Sequence, residues 1–69
     1  MTANEALDYY LGSLLNNERI AKSRDIREIL GISRNVLSDW RRGRTKIQPI
    51  SFTKIIEIVG VDLNAYVDN

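Results

Sequence analysis

The chain has 69 residues, ten Lys or Arg against nine Asp or Glu, a formal net charge of +1, no Cys and no His. This describes one small domain that buries only about 60% of its unfolded surface, and it excludes a disulfide framework, a thiolate metal site and the usual imidazole ligand or general base. The composition argues against an enzyme and against any metal or other cofactor. No apolar run approaches the roughly 18 residues of a membrane span, and acids stand where a signal peptide has bases, so a soluble cytoplasmic protein in a reducing compartment is expected.

The opening TANEALDYYLGSLL reads as a helix. Thr2 is its N-cap and Glu5, three residues on, completes a capping box. Ala3, Leu7, Tyr10, Leu11 and Leu14 share one face at helical spacing. Tyr9 falls on the polar face, and Asn16 and Asn17 are suited to ending the helix. Gly12 costs it about 1 kcal/mol relative to Ala unless close packing requires a glycine there.

Ser23 is expected to cap a second helix whose Ile26, Ile29 and Leu30 face inward, with Gly31 as its terminator. Ser33 caps a third. Val36, Leu37 and Trp40 should point to the core, which sends Arg34, Asn35, Ser38 and Arg42 outward and puts Asp39 and Arg41 on the flanks. Gly43 ends this helix. The stretch RTKIQPI, with the single Pro at position 49, reads as a loop of about seven residues. Ser51 is the expected cap of a fourth helix with Phe52, Ile55, Ile56 and Val59 inward and Gly60 as terminator. Asp62 caps a last short turn carrying Leu63, Tyr66 and Val67. Residues 1–69 thus predict a single all-α domain, a compact bundle of about five short helices in which helices 2 and 3 form a helix-turn-helix.

The charge is concentrated. Residues 1–18 carry three acids and no base, residues 19–46 carry nine bases against three acids for a net of +6, and residues 47–69 return to −2. A local basic block of this kind suits a phosphate backbone, because each neutralised phosphate releases condensed counterions. The outward set on the third helix suits base edges: Arg pairs bidentately with guanine, Asn with adenine, and Ser with either. Double-stranded DNA is therefore the expected partner, with Arg34, Asn35, Ser38 and Arg42 as candidate base readers. Ile58, Tyr66 and Val67, close to Ile47 and Ile50, exceed what the core obviously needs. They form a candidate surface for a homodimer or another partner.

Ile26, Leu30, Gly31, Ile32, Ser33, Leu37, Trp40 and Gly43, followed by a fourth amphipathic helix and the ending GVDLNAY, resemble the helix-turn-helix domains of the Cro and cI repressor type found in phage and bacterial regulators. The resemblance covers roughly residues 20–66. It implies that Arg34, Asn35 and Ser38 read bases while Ser23, Arg24, Arg42, Arg44 and Lys46 hold phosphates. This chain departs from the family in carrying Arg27 where a small residue is usual, Ser23 in place of Gln, and Arg41 where Glu is common. Arg27 must then direct its guanidinium outward along its aliphatic stem.

The leading expectation is a sequence-specific DNA-binding transcriptional regulator, a repressor or activator of a phage lysogeny switch. The alternative is an antirepressor or modulator that keeps the helix-turn-helix scaffold and forms a heteromeric complex with another repressor's DNA-binding domain, so that the basic face meets a protein.

Overall fold

Thr2 opens the first helix, α1 (Ala3–Ser13), with the reciprocal bonds of a capping box: its Oγ1 accepts from the Glu5 amide at 3.1 Å, and its own amide donates to Glu5 Oε1 at 2.9 Å. The structure, a computed structural model, describes residues 1–67. It contains α1, α2 (Asn16–Leu30), α3 (Arg34–Arg41), α4 (Pro49–Val59) and a 3-10 turn, Leu63–Tyr66. Among the described residues there are four α-helices and one 3-10 turn where about five helices were expected, and no strand.

The boundary between the first two helices differs from expectation. Asn16 and Asn17 do not end α1, which stops at Ser13; they begin α2 instead. Asn17 Oδ1 accepts from the Glu18 amide at 3.0 Å and Asn16 Oδ1 from Arg19 Nη2 at 3.0 Å, so both side chains serve the first turn of α2. Ser23, the expected cap, lies in the middle of that helix. Between Asn16 and Leu30 there is no Gly or Pro, and extending an existing helix by one residue is far cheaper than nucleating a new one.

Two further residues expected inward sit outside. Ile29 is 66% exposed and Val36 reaches 36%. In α2 the buried Ile26 and half-buried Leu30 define the inner stripe, and Ile29 lies about 80° round from its centre. In α3, Leu37 and Trp40 play the same part and Val36 falls on the far edge. Ser51 is not the cap of α4. Gln48 holds that position and Pro49 is the first helical residue, where its fixed φ and missing N–H are no loss.

The core draws on every element: Ala6, Leu7, Tyr10 and Leu11 from α1, Ile26 from α2, Leu37 and Trp40 from α3, Phe52, Ile55 and Val59 from α4, and Leu63 from the 3-10 turn. α2 packs most extensively on α4, and α1 bridges α2, α3 and the 3-10 turn. Ile47, in the stretch expected to be plain loop, is 2% exposed and plugs the core between α3 and α4. The terminators behave as expected: Gly31 caps α2 in the left-handed region at φ 66°, and the amides of Gly31 and Ile32 both return to the Arg27 carbonyl. Asp62 caps the last turn by accepting from the Asn64 amide at 3.0 Å.

Two outcomes follow for stability. Nothing lies within 4 Å of a Cβ built on Gly12, which is helical and exposed, so no packing demands a glycine. Gly12→Ala should raise the stability by about 0.5–1 kcal/mol, read as a gain of several degrees in Tm. Burial, with a smaller push from Glu18, raises the Tyr10 hydroxyl above its ordinary pKa of 10.0. The folded value then exceeds the unfolded one, so this contribution is intact below pH 10 and is lost as the pH climbs past it. Melts across the alkaline range should show that loss, and Tyr10→Phe should flatten it.

Candidate nucleic-acid interface

The candidate interface is built on α3 and on what holds α3 in place. Ser33 Oγ accepts from the Val36 amide at 3.2 Å and starts the helix directly after the Gly31-Ile32-Ser33 connection. Ile32 is half-buried and packs against the core, which fixes the corner between α2 and α3. Leu37 and Trp40 anchor the inner face. The spacing expectation that Trp40 points to the core is met by its 7% exposure.

The other end of α3 is held by Asn4, a residue that sequence reasoning passed over. Asn4 is the one polar residue among the buried set of the described chain, at 8% exposure. Its Nδ2 donates to the carbonyls of Trp40 at 2.9 Å and Thr45 at 2.7 Å, and its Oδ1 accepts from the Ile47 amide at 3.3 Å. One side chain from the first turn of α1 thereby satisfies three backbone groups at the end of α3 and in the loop after it. Asn4 follows Thr2 and Ala3 in a capping sequence, and nothing in the local pattern distinguishes a buried Asn there from a solvated one.

On the outer side, Arg34, Asn35 and Arg42 are exposed and Ser38 is half-exposed. These four candidate readers stand together on the face opposite Leu37 and Trp40, with Asn35 and Arg42 near its centre by the 100° rule. Arg44 and Lys46 follow on the exposed loop. Asp39 approaches Arg44 at 3.9 Å; with both side chains well exposed this pair adds little stability. Arg24 is exposed on α2, apart from the groove described next.

Between α2 and the near edge of α3 runs an open groove of about 430 Å³, lined by Asp8, Ser23, Arg27, Arg34, Leu37, Ser38, Arg41 and Arg42. A second recess adjoins it, adding Arg19 and Ile20 to Ser23, Arg27, Arg34 and Arg41. Arg27 is half-buried and lines both recesses. Asp8 brings the one carboxylate of the groove lining, and its Oδ1 accepts from Arg41 Nε at 2.7 Å, tying α1 to α3. Arg19, Ser23 and Arg27 line up because they are four residues apart on one continuous helix. Their alignment is visible in the sequence only if residues 16–30 are read as a single helix, and a break at Ser23 hides it.

The candidate partner surface is divided by the fold. Ile58 and Val67 are half-buried and pack against the core, while Ile50 stays 70% exposed at the start of α4. Tyr66 is exposed and meets Tyr9 with ring centroids 5.4 Å apart at 53°, clasping the 3-10 turn to α1. Such tilted pairs add about 0.5–1.5 kcal/mol beyond their area. Tyr9 is thus a partner for Tyr66 within the chain.

Among the described residues, no cluster of three or more His, Cys, Asp or Glu could hold a metal ion, and no helix is long and apolar enough to cross a membrane. Comparison of the chain with protein-family models, curated proteins and solved structures found no match.

Asn4→Ala would leave two carbonyls and one amide without their partner, two of these three bonds lying in a buried site. It should cost about 2–4 kcal/mol, seen as a large drop in Tm. Asn4→Asp keeps the acceptor but turns a carboxylate toward two carbonyls, and it should be no better tolerated. A melt of either variant close to that of the parent chain would show that water replaces these bonds at no cost.

Proposed function

We propose that the protein is a sequence-specific double-stranded DNA-binding transcriptional regulator that uses α2, the Gly31-Ile32-Ser33 turn and α3 as a helix-turn-helix, with α3 in the major groove. The observation that carries this reading is the division of α3 into two faces. Leu37 and Trp40 are buried, while Arg34, Asn35, Ser38 and Arg42 face away from the core beside an arginine-lined groove. An α-helix with its side chains is about 10–12 Å across, a fit to the width of the B-form major groove.

In this reading Asn35 and Arg34 make bidentate contacts to base edges, with Ser38 and Arg42 beside them, and Val36 on the edge of the same helix offers apolar contact to a thymine methyl. Ser23, Arg24, Arg44 and Lys46 flank α3 and act on phosphates, which sets register without carrying sequence. The clustering of bases in residues 19–46 supports the reading independently, since the remainder of the chain is net acidic. As a regulator of the repressor type, a second copy of the chain would occupy the other half of a palindromic site, one helical turn away.

A second reading, an antirepressor that meets another repressor's DNA-binding domain, is favoured by Asp8. A carboxylate inside the arginine groove gives that surface mixed charge, which suits a polar protein surface.

Selection of bound duplexes from a random pool separates the two. The DNA reading expects an enriched motif and an affinity that falls linearly in log–log salt; a folded chain that enriches nothing would leave the antirepressor reading. Asn35→Ala should cost about 1–3 kcal/mol of specific affinity and relax the preference at one base pair, whereas Arg44→Ala should weaken all duplexes alike. Unchanged preference in Asn35→Ala would move the reading face elsewhere.

A further inference from the structure

The groove beside α3 is unusual in its charge. Arg27 from α2 and Arg34, Arg41 and Arg42 from α3 border it, against the single carboxylate of Asp8 from α1. That carboxylate is engaged by Arg41 at 2.7 Å. Among the described residues Arg27, Arg34 and Arg42 make no ion pair. Like charges gathered in a recess repel more strongly than the same charges spread over an open surface, because the surrounding protein screens them less than water does. An anion arriving from outside would relieve that repulsion.

The geometry of the groups narrows the choice of anion. A guanidinium is a flat fork of donors that matches two oxygens of a phosphate, and it is less strongly hydrated than an ammonium. All four bases of the groove are Arg and none is Lys. A phosphodiester has one charge and two free oxygens, enough to accept from two guanidiniums on opposite walls.

We infer that this groove is a site for one phosphodiester of the DNA backbone, held between Arg27 of α2 and Arg42 of α3, and that Asp8 limits its strength by occupying Arg41. The inference rests on the DNA-binding reading and adds to it a contact from Arg27 and an internal competitor in Asp8. With Asp8 in place, Arg41 is engaged and a passing phosphate gains less from the groove. The sequence-independent part of the affinity is thereby held down for every duplex. Arg34, at the shared edge of groove and reading face, links the two.

The test is duplex binding across a salt series with the full chain and three variants, each checked by its melting curve. Arg27→Gln should weaken binding to cognate and non-cognate duplexes alike, by roughly tenfold, and lower the salt slope by about 0.9. Arg27→Lys, which keeps the charge, should restore the slope and only part of the affinity. Asp8→Asn should tighten binding to every duplex alike, steepen the slope by a similar amount and leave the ratio between cognate and non-cognate sites unchanged. If the parent chain binds duplex and Arg27→Gln matches it in affinity and slope, the phosphate site is overturned and the DNA reading stands. If Asp8→Asn binds no tighter, the competitor role of Asp8 is overturned. A folded parent chain that binds no duplex at any salt concentration overturns the inference and the DNA reading together.

Discussion

The hydrogen bonds of Asn4 are the constraint on which the rest of the molecule depends. A helix of eight residues cannot stand alone in water, and α3 has only Leu37 and Trp40 to bury. Its C-terminal end leads into a loop without regular structure until Gln48, and loop backbone near a core must find partners for its polar groups. Asn4 provides them, reaching from the first turn of α1 to Trp40, Thr45 and Ile47. The loop is thereby drawn inward far enough for Ile47 to fill the core, and α4 can start at Pro49. Asp8, one turn further along α1, makes the second tie to α3 through Arg41. α1 therefore acts as the bracket that holds the exposed helix in position, although none of its residues belongs to the outer face of α3.

How much of this was legible in the sequence varies by the kind of signal. Where a backbone requirement has a characteristic residue, the reading was good: Thr2 with Glu5, Gly31, Ser33, Gly60 and Asp62 all do what their chemistry suggests. Inner faces are legible where apolar residues are spaced three or four apart, as with Leu37 and Trp40, and less so at the edges of a stripe, where Ile29 and Val36 turn out exposed. The errors at Ser23 and Ser51 have one cause. A Ser suits a helix start, but it is tolerated within a helix when its neighbours favour continuation, and local pattern cannot weigh nucleation against propagation. Asn4 and Ile47 were missed because their roles are set by contacts about forty residues apart in sequence.

The same distinction applies to the site. The basic block was countable, and the outer face of α3 followed from periodicity. The groove did not, since it needs α2 to run unbroken past Ser23 so that Arg19, Ser23 and Arg27 form one row facing α3. Asp8 enters the sequence reading only as one of three acids in residues 1–18; the packing of α1 on α3 is what brings it beside Arg41.

The division of labour within α3 has an evolutionary consequence. Arg34, Asn35, Ser38 and Arg42 contribute nothing to the buried set, and the backbone bonds that hold the helix come from Ser33 and from Asn4, both outside that group. Substitutions at these four positions are therefore close to neutral for folding, whereas Leu37 and Trp40 are fixed by the core. A lineage built on this scaffold can change the outer face of α3 one residue at a time without crossing an unfolded intermediate, so that surface is free to diverge while the architecture stays constant.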